Sequence, residues 1–483
     1  DHALQWCQKC NRRRGTVFNT KNIALAFAFA CLAAIVWLTP EIAGLKPAGK
    51  ASLAIAVFAI IIWVTQAVDD ALSGILIVFL LAALSASTLA GAFSGYANTS
   101  LWLIVIGFIM AACMEKSGLS KRIALVLVSA AGGSATRIYG AVALVMAVLS
   151  FLVPSITART LLMLPIILGI GHAFSAKQGQ SNIVKALIFI VAMSGTMMSL
   201  GILTAHVGNP ITVGLIEAAT KKTISWSEWF RVGGFPAFSL AAISVVLLRI
   251  MWPPEMKNLG QGQDYIKKEL AALGKLSSTE IYTMGVFFLT LILWATDSYH
   301  KINVAIVGLF SIILLLWPGV GVMNWKEAQQ KVPWNVFIVY GAGLSMGAAL
   351  VSSGAAKWLA GTMLGPIVSM PHATQMIILI WIATVLQVFF TGGGPKTTAL
   401  TPIIIAHAVT IGADPLVFAL VLGMNMQHQY LLPVSNMPNA VAMGTGHITT
   451  GELIKTGAVM SLLAATYMTV MVLTYWQWIG VVR

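Results

Sequence analysis

From residue 22 to residue 481 the chain is a succession of uncharged apolar stretches, separated by short segments that carry most of its ionisable groups. Each stretch is close to the roughly 20 residues that a helix needs to cross about 30 Å of hydrocarbon. No soluble core could bury so much apolar surface, since 58% of the 483 residues are hydrophobic and only 9% are charged. A transmembrane barrel alternates polar and apolar residues along each strand, and these stretches do not. Inside a bilayer a lone segment must satisfy its own backbone hydrogen bonds, which only a helix does. The chain therefore reads as an all-α polytopic membrane protein.

The spans predicted are 22–40, 51–68, 74–92, 101–116, a broken 184–219, 232–252, 280–297, 302–318, 334–352, a broken 415–445 and 456–481, about 11 transmembrane helices in all. Two further apolar pairs, 138–153 with 157–171 and 373–390 with 396–411, have arms short for a full crossing at about 1.5 Å per residue, which predicts two re-entrant hairpins. The net charge of +14 comes from Lys and Arg scattered among the loops rather than gathered into a basic domain. That pattern excludes a nucleic-acid partner and follows the positive-inside rule. It places the tail 1–21, the stretch with Lys116, Lys121, Arg122 and Arg137, the loop 253–279, and Lys326 with Lys331 on the cytoplasmic side of the inner membrane. The C-terminus falls outside, as do Lys221, Lys222 and Arg231, which run against the rule. The tail lacks the features of a cleavable signal peptide. Its Cys7 and Cys10 form a CQKC pair with no second ligand pair, so zinc is not expected. No cofactor is expected.

After an extra leading helix and loop, 22–50, the sequence repeats. ISWSEWFRVG at 224–233 parallels ITTGELIKTG at 448–457, and MEKSGLSKRIA after Gly107 parallels LVSSGAAKWLA after Gly343. The units are 51–252 and 280–483, joined by a cytoplasmic linker 253–279. Each holds an odd number of crossings, so the two are expected to lie inverted in the bilayer, the signature of many secondary transporters.

Polar sequence interrupts the apolar hairpins at matching places. PSITART at 154–160 carries Arg159, and GGGPKTT at 392–398 carries Lys396. Ser155 is suited to cap the second arm of the first hairpin, Gly392, Gly393 and Gly394 allow close backbone approach, and Pro395 fits a first helical position. Helix N-termini at both tips are ready-made anion sites. Each tip is expected to face a broken helix, LGILTAHVGNPIT at 200–212 and LLPVSNMPNAV at 431–441, aligned through Pro210 and Pro438. The candidate lining residues are Thr204, Gly208 and Asn209 in one, and Ser435, Asn436 and Asn439 in the other. Proline kinks patched by neighbouring polar groups are the structural alternative. A cation in the membrane costs about 2.5–3.5 kcal/mol, which a bound dianion offsets; snorkelling to a water-filled vestibule, or pairing with a carbonyl at a helix C-terminus, are the other solutions. His206 and His428 are candidates for proton coupling.

With PNAVAMGTG, GELIKTG and SITARTLLMLPI in view, the chain resembles the divalent anion:sodium symporter family, carriers of dicarboxylates, citrate and sulfate. The resemblance covers about residue 50 to the C-terminus. It implies eleven spans, two opposed hairpins, a dimer-forming scaffold and a transport domain that moves as an elevator. The family's tips read Ser-Asn-Thr and supply sodium ligands and substrate contacts. Here the triplets align with Ser155-Ile156-Thr157 and Gly392-Gly393-Gly394, so both asparagines are missing and only a weakened sodium site near Ser150, Ser155 and Gly201 is expected. One fixed cation at each tip points instead to exchange of di- or tricarboxylates, with sodium-coupled symport of dicarboxylates, tricarboxylates or sulfate as the alternative. An anion channel is a further rival. An enzyme is not expected, because no catalytic motif stands at the midplane.

Overall fold

The computed structural model describes residues 20–41, 44–390 and 392–482. The N-terminal residues 1–19, with Cys7 and Cys10, and Arg483 lie outside them. Among the described residues the fold is entirely helical apart from one isolated bridge, Ser134 to Asn258.

Twenty helices of eight or more residues follow in order. The leading helix is α1 (Thr20–Leu38). The first series is α2 (Pro47–Thr65), α3 (Asp70–Ala83), α4 (Thr99–Ser117), α5 (Leu119–Ser129), α6 (Ala135–Leu152), α7 (Ile156–Ala173), α8 (Asn182–Leu200), α9 (Gly208–Thr220) and α10 (Trp226–Met251). After α11 (Gly260–Ala272) comes the second series: α12 (Ser278–Ala295), α13 (Val304–Leu315), α14 (Trp334–Ser352), α15 (Ala355–Leu364), α16 (His372–Leu386), α17 (Gly393–Thr410), α18 (Pro415–Met426), α19 (Met437–Gly444) and α20 (Thr450–Leu473). Among the described residues each series therefore holds nine such helices. The parallel read between 224–233 and 448–457 has a physical basis at α10 and α20. Ser225 with Glu228, and Thr449 with Glu452, form capping boxes at their starts, each satisfying donors that a helix start leaves orphaned.

Among the described residues ten helices are long and apolar enough to cross a bilayer, or eleven if a bent pair counts as one span. The total agrees with the expectation, but its membership differs. Both arms of the first hairpin, α6 and α7, are 18 residues long. The expected spans 74–92 and 302–318 are instead α3 and α13, of 14 and 12 residues, and the bent pair is Ala355–Ile367 with α16, turned by 107°. Gly365, Pro366 and Pro371 break the run there, and α15 fills a stretch that the sequence reading leaves between spans 334–352 and 373–390.

The linker is not a loose loop. Leu259 N–H donates to Gly133 O at 2.6 Å, Ala135 N–H to Lys257 O at 3.1 Å, and Gln263 Nε2 to Ser129 O at 2.6 Å. The Tyr265 ring rests on Gly169 of α7, where a Cβ would stand 2.2 Å from it. Arg122 of α5 binds Glu280 of α12 at 2.6 Å and caps the Gly274 carbonyl at 2.9 Å. Inside the bundle α8 is buried along its whole apolar window, which brings the broken helix to the molecular centre.

Candidate functional site between two hairpin tips and two broken helices

The first tip is Val153-Pro154-Ser155, between α6 and α7. Proline ends the pairing of α6, and Ser155 Oγ accepts from Ala158 N–H at 3.3 Å, so the serine does cap the second arm. The tip lies against α4 at Gly107, where a Cβ would come within 2.9 Å of Pro154. At the second tip α17 begins at Gly393, so Pro395 occupies the third helical position and not the first. Proline is tolerated there because the first-turn N–H groups have no intrahelical acceptor. The glycines are required by close approach: a Cβ on Gly393 would sit 1.8 Å from Gln427 Oε1, and one on Gly394 would sit 2.2 Å from Tyr340 Oη.

The two breaks correspond through Asn209 and Asn439 rather than through the prolines. Asn209 Nδ2 donates to Ser199 O and Ile202 O at 3.0 and 2.9 Å, and Asn439 Nδ2 donates to Tyr430 O and Leu432 O at 3.3 and 3.2 Å. Each asparagine thereby ties the helix after its break to two carbonyls before or within it. Ser435 Oγ accepts from Leu432 N–H at 3.2 Å, and Thr204 Oγ1 accepts from Trp226 Nε1 at 3.4 Å.

A cavity of about 820 Å³ opens between these parts. Ser155, Ile156 and Thr157 line it from the first tip, Gly392, Gly393 and Gly394 from the second, His206 and Gly208 from the first break, and Asn436 from the second. Trp63 and Tyr340 complete the wall, and Gln66, Asp70, Glu115 and Lys331 also border it. The ends of α7 and α17 that face the cavity are N-termini, whose free N–H groups and dipole favour an anion. Thr204, Asn209, Ser435 and Asn439 are buried in the breaks behind this wall.

Arg159 and Lys396 are also behind the wall, four residues into each tip helix and fully buried. The Arg159 guanidinium is surrounded by oxygen: Nε faces Ser155 O at 3.4 Å, Nη1 donates to Ser150 Oγ, and Nη2 donates to Ser199 Oγ at 2.7 Å and Ala205 O at 2.9 Å. Lys396 Nζ donates to Ala383 O at 3.2 Å. Gly201 packs on α10, with its virtual Cβ 2.8 Å from Ala237 Cβ. His206 Nδ1 accepts from Gly208 N–H at 3.0 Å, and His428 Nδ1 pairs with Tyr430 Oη at 2.7 Å.

Gln427, Gln429 and Tyr340 line the cavity without having been singled out from the sequence. The polar run Gln427-His428-Gln429 inside an apolar stretch was the signal available for two of them.

A large cavity that sets two helix N-termini against broken membrane helices is the kind of site a secondary transporter uses. The chain belongs to the family described as the sodium:sulfate symporter transmembrane region, which matches residues 19–482. It is 32% identical over 475 residues to a membrane protein of Cupriavidus necator, covering 94% of this chain and 92% of that one. It is 29% identical to the L-tartrate/succinate antiporter of Shigella dysenteriae, with 82% of each chain covered. It is 28% identical to the sodium-dependent dicarboxylate transporter SdcS of Staphylococcus saprophyticus, covering 87% and 85%. In fold it is similar to the Neisseria gonorrhoeae MtrF structure, with TM-score 0.59, 14% identity and coverage of 92% and 97%. The Alcanivorax borkumensis YdaH transporter is similar too, with TM-score 0.56, 14% identity and coverage of 82% and 89%.

Proposed function

We propose that this protein exchanges dicarboxylate anions across the inner membrane without sodium, each carboxylate resting on one tip and the two buried cations completing the anion's charge balance. The observation that carries the reading is the oxygen cage around Arg159. Ser150 Oγ, Ser155 O, Ser199 Oγ and Ala205 O are the kinds of ligand a sodium ion takes, and a guanidinium already engages all four. Sodium does not fit there beside it. A site whose positive charge is built in and permanent is poorly suited to cross the membrane empty, since unpaired charge in the bilayer is costly. Exchange follows from that bias. The dicarboxylate class is supported by the names of the relatives, and tricarboxylates or sulfate remain within the same chemistry.

In this reading 51–252 and 280–483 are inverted units on either side of the linker. The transport part moves as an elevator against a scaffold that forms a homodimer, the N-terminus is cytoplasmic and the C-terminus outside. Gln66, Asp70, Glu115 and Lys331 then mark a mouth on the cytoplasmic face.

The test is counterflow in proteoliposomes. Labelled succinate should enter vesicles loaded with dicarboxylate equally with and without sodium, and should not enter empty ones. Uptake into empty vesicles under a sodium gradient would favour symport, which the SdcS relative keeps in view. Dependence on a proton gradient that is lost in His206→Gln or His428→Gln would favour proton coupling.

A further inference from the structure

Three carboxamide atoms beside the cavity have no hydrogen-bond partner among the described residues. Gln427 and Gln429 both line the cavity and are 1% exposed. Gln427 Nε2 donates to Thr397 Oγ1 at 2.6 Å, but Gln427 Oε1 and both Nε2 and Oε1 of Gln429 are unpartnered. The place of Gln427 is set by what its neighbours lack. A Cβ on Gly393 would lie 1.8 Å from its Oε1, and one on Gly208 would lie 2.1 Å from its Cδ. Its carboxamide is thus wedged between the start of the second tip helix and the first break.

Buried polar atoms are nearly always paired, so such exceptions point to a ligand or water that completes them. We propose that Gln427 and Gln429 select substrates carrying hydroxyl groups on the carbons between the two carboxylates, that is, hydroxy- and dihydroxydicarboxylates. This rests on the dicarboxylate reading above. The helix N-termini and the cations suit carboxylate oxygens, which only accept. A carboxamide oxygen also only accepts, so a carboxylate leaves it unsatisfied. A hydroxyl both donates and accepts, and it is the one common substituent that matches the free Oε1 and the free Nε2 of Gln429 together. An ammonium group answers only the oxygen, and a ketone only the nitrogen.

The experiment is exchange by the full-length protein in proteoliposomes with a matched four-carbon series: succinate, malate, tartrate and aspartate. A site built to bond a hydroxyl discriminates against the analogue that lacks it, so the wild type should take malate and tartrate with kcat/KM at least about tenfold above succinate, with aspartate below malate. Gln429→Met, apolar and of similar shape, should bring the malate-to-succinate ratio of kcat/KM close to one. Gln427→Met should lower the same ratio. A wild-type ratio of one or less overturns the inference, and so does a Gln429→Met protein that loses succinate and malate alike with the ratio unchanged. Exchange of none of the four anions would sink the dicarboxylate reading and this inference with it. Succinate exchange without hydroxyl preference would remove the inference alone.

Discussion

Arg159 and Lys396 show how one residue changes what a binding site needs. Both stand one turn behind a helix N-terminus that faces the cavity, so their charge adds to the helix dipole without a side chain entering the cavity. Opposite charges attract by about 4 kcal/mol at 4 Å for an effective dielectric of about 20, and by less at longer range. Arg159→Ala is therefore expected to lower sodium-free dicarboxylate exchange about tenfold to a hundredfold. The same change frees Ser150 Oγ, Ser155 O, Ser199 Oγ and Ala205 O, so added sodium should restore part of the lost rate. Uptake assays of the variant in sodium and in choline buffers check both halves, and a rate unchanged in choline would rule out an electrostatic role for the guanidinium.

At the scale of the element, what the sequence revealed and what it hid have separate physical causes. Apolar runs interrupted by Pro, Gly and Asn were visible because irregular backbone at membrane depth is so restricted, and both tips, both breaks and the cap at Ser155 came from that. The register of the second break was misjudged because proline is the louder signal. The residue that closes the break is Asn439, whose amide must reach two carbonyls, and reach is not written in spacing. Pro395 was placed two positions early because a run of glycines gives no mark of where helical dihedrals begin. Gln427 and Gln429 were passed over because pairing becomes visible only once neighbours are known. Asn209→Ala and Asn439→Ala each remove a donor bonded to two buried carbonyls, at a cost of about 1–3 kcal/mol. Each should speed amide hydrogen exchange in its own break, 199–209 or 429–439, and leave the other unchanged.

At the scale of the whole molecule the linker is bound to the first series through α5, α6 and α7, and Arg122 of α5 reaches Glu280 at the start of the second. Two ion pairs from neighbouring residues of α5 separate burial from mere proximity. Arg122 with Glu280 has side chains 13% and 6% exposed, whereas Lys121 with Glu269 has 43% and 34%. Arg122 also holds the Leu273, Gly274 and Lys275 carbonyls, whereas a lone exposed pair contributes about 0–1 kcal/mol. Arg122→Ala should lower the melting temperature of the detergent-solubilised protein clearly, and Lys121→Ala hardly at all. The shortness of α3 and α13 reaches further than the protein itself. At 14 and 12 residues they span about 21 and 18 Å, against hydrocarbon of about 30 Å. Both present apolar side chains outward, among them Ile75 and Phe79, and Ile306 and Ile313. A bilayer meets such short helices by thinning beside them, by snorkelling of flanking side chains or by oligomerisation, each at a modest cost for each ångström of mismatch. Acyl-chain length then becomes a control on the carrier: exchange measured in vesicles of matched headgroup should be faster in bilayers of shorter chains and slow as the chains lengthen.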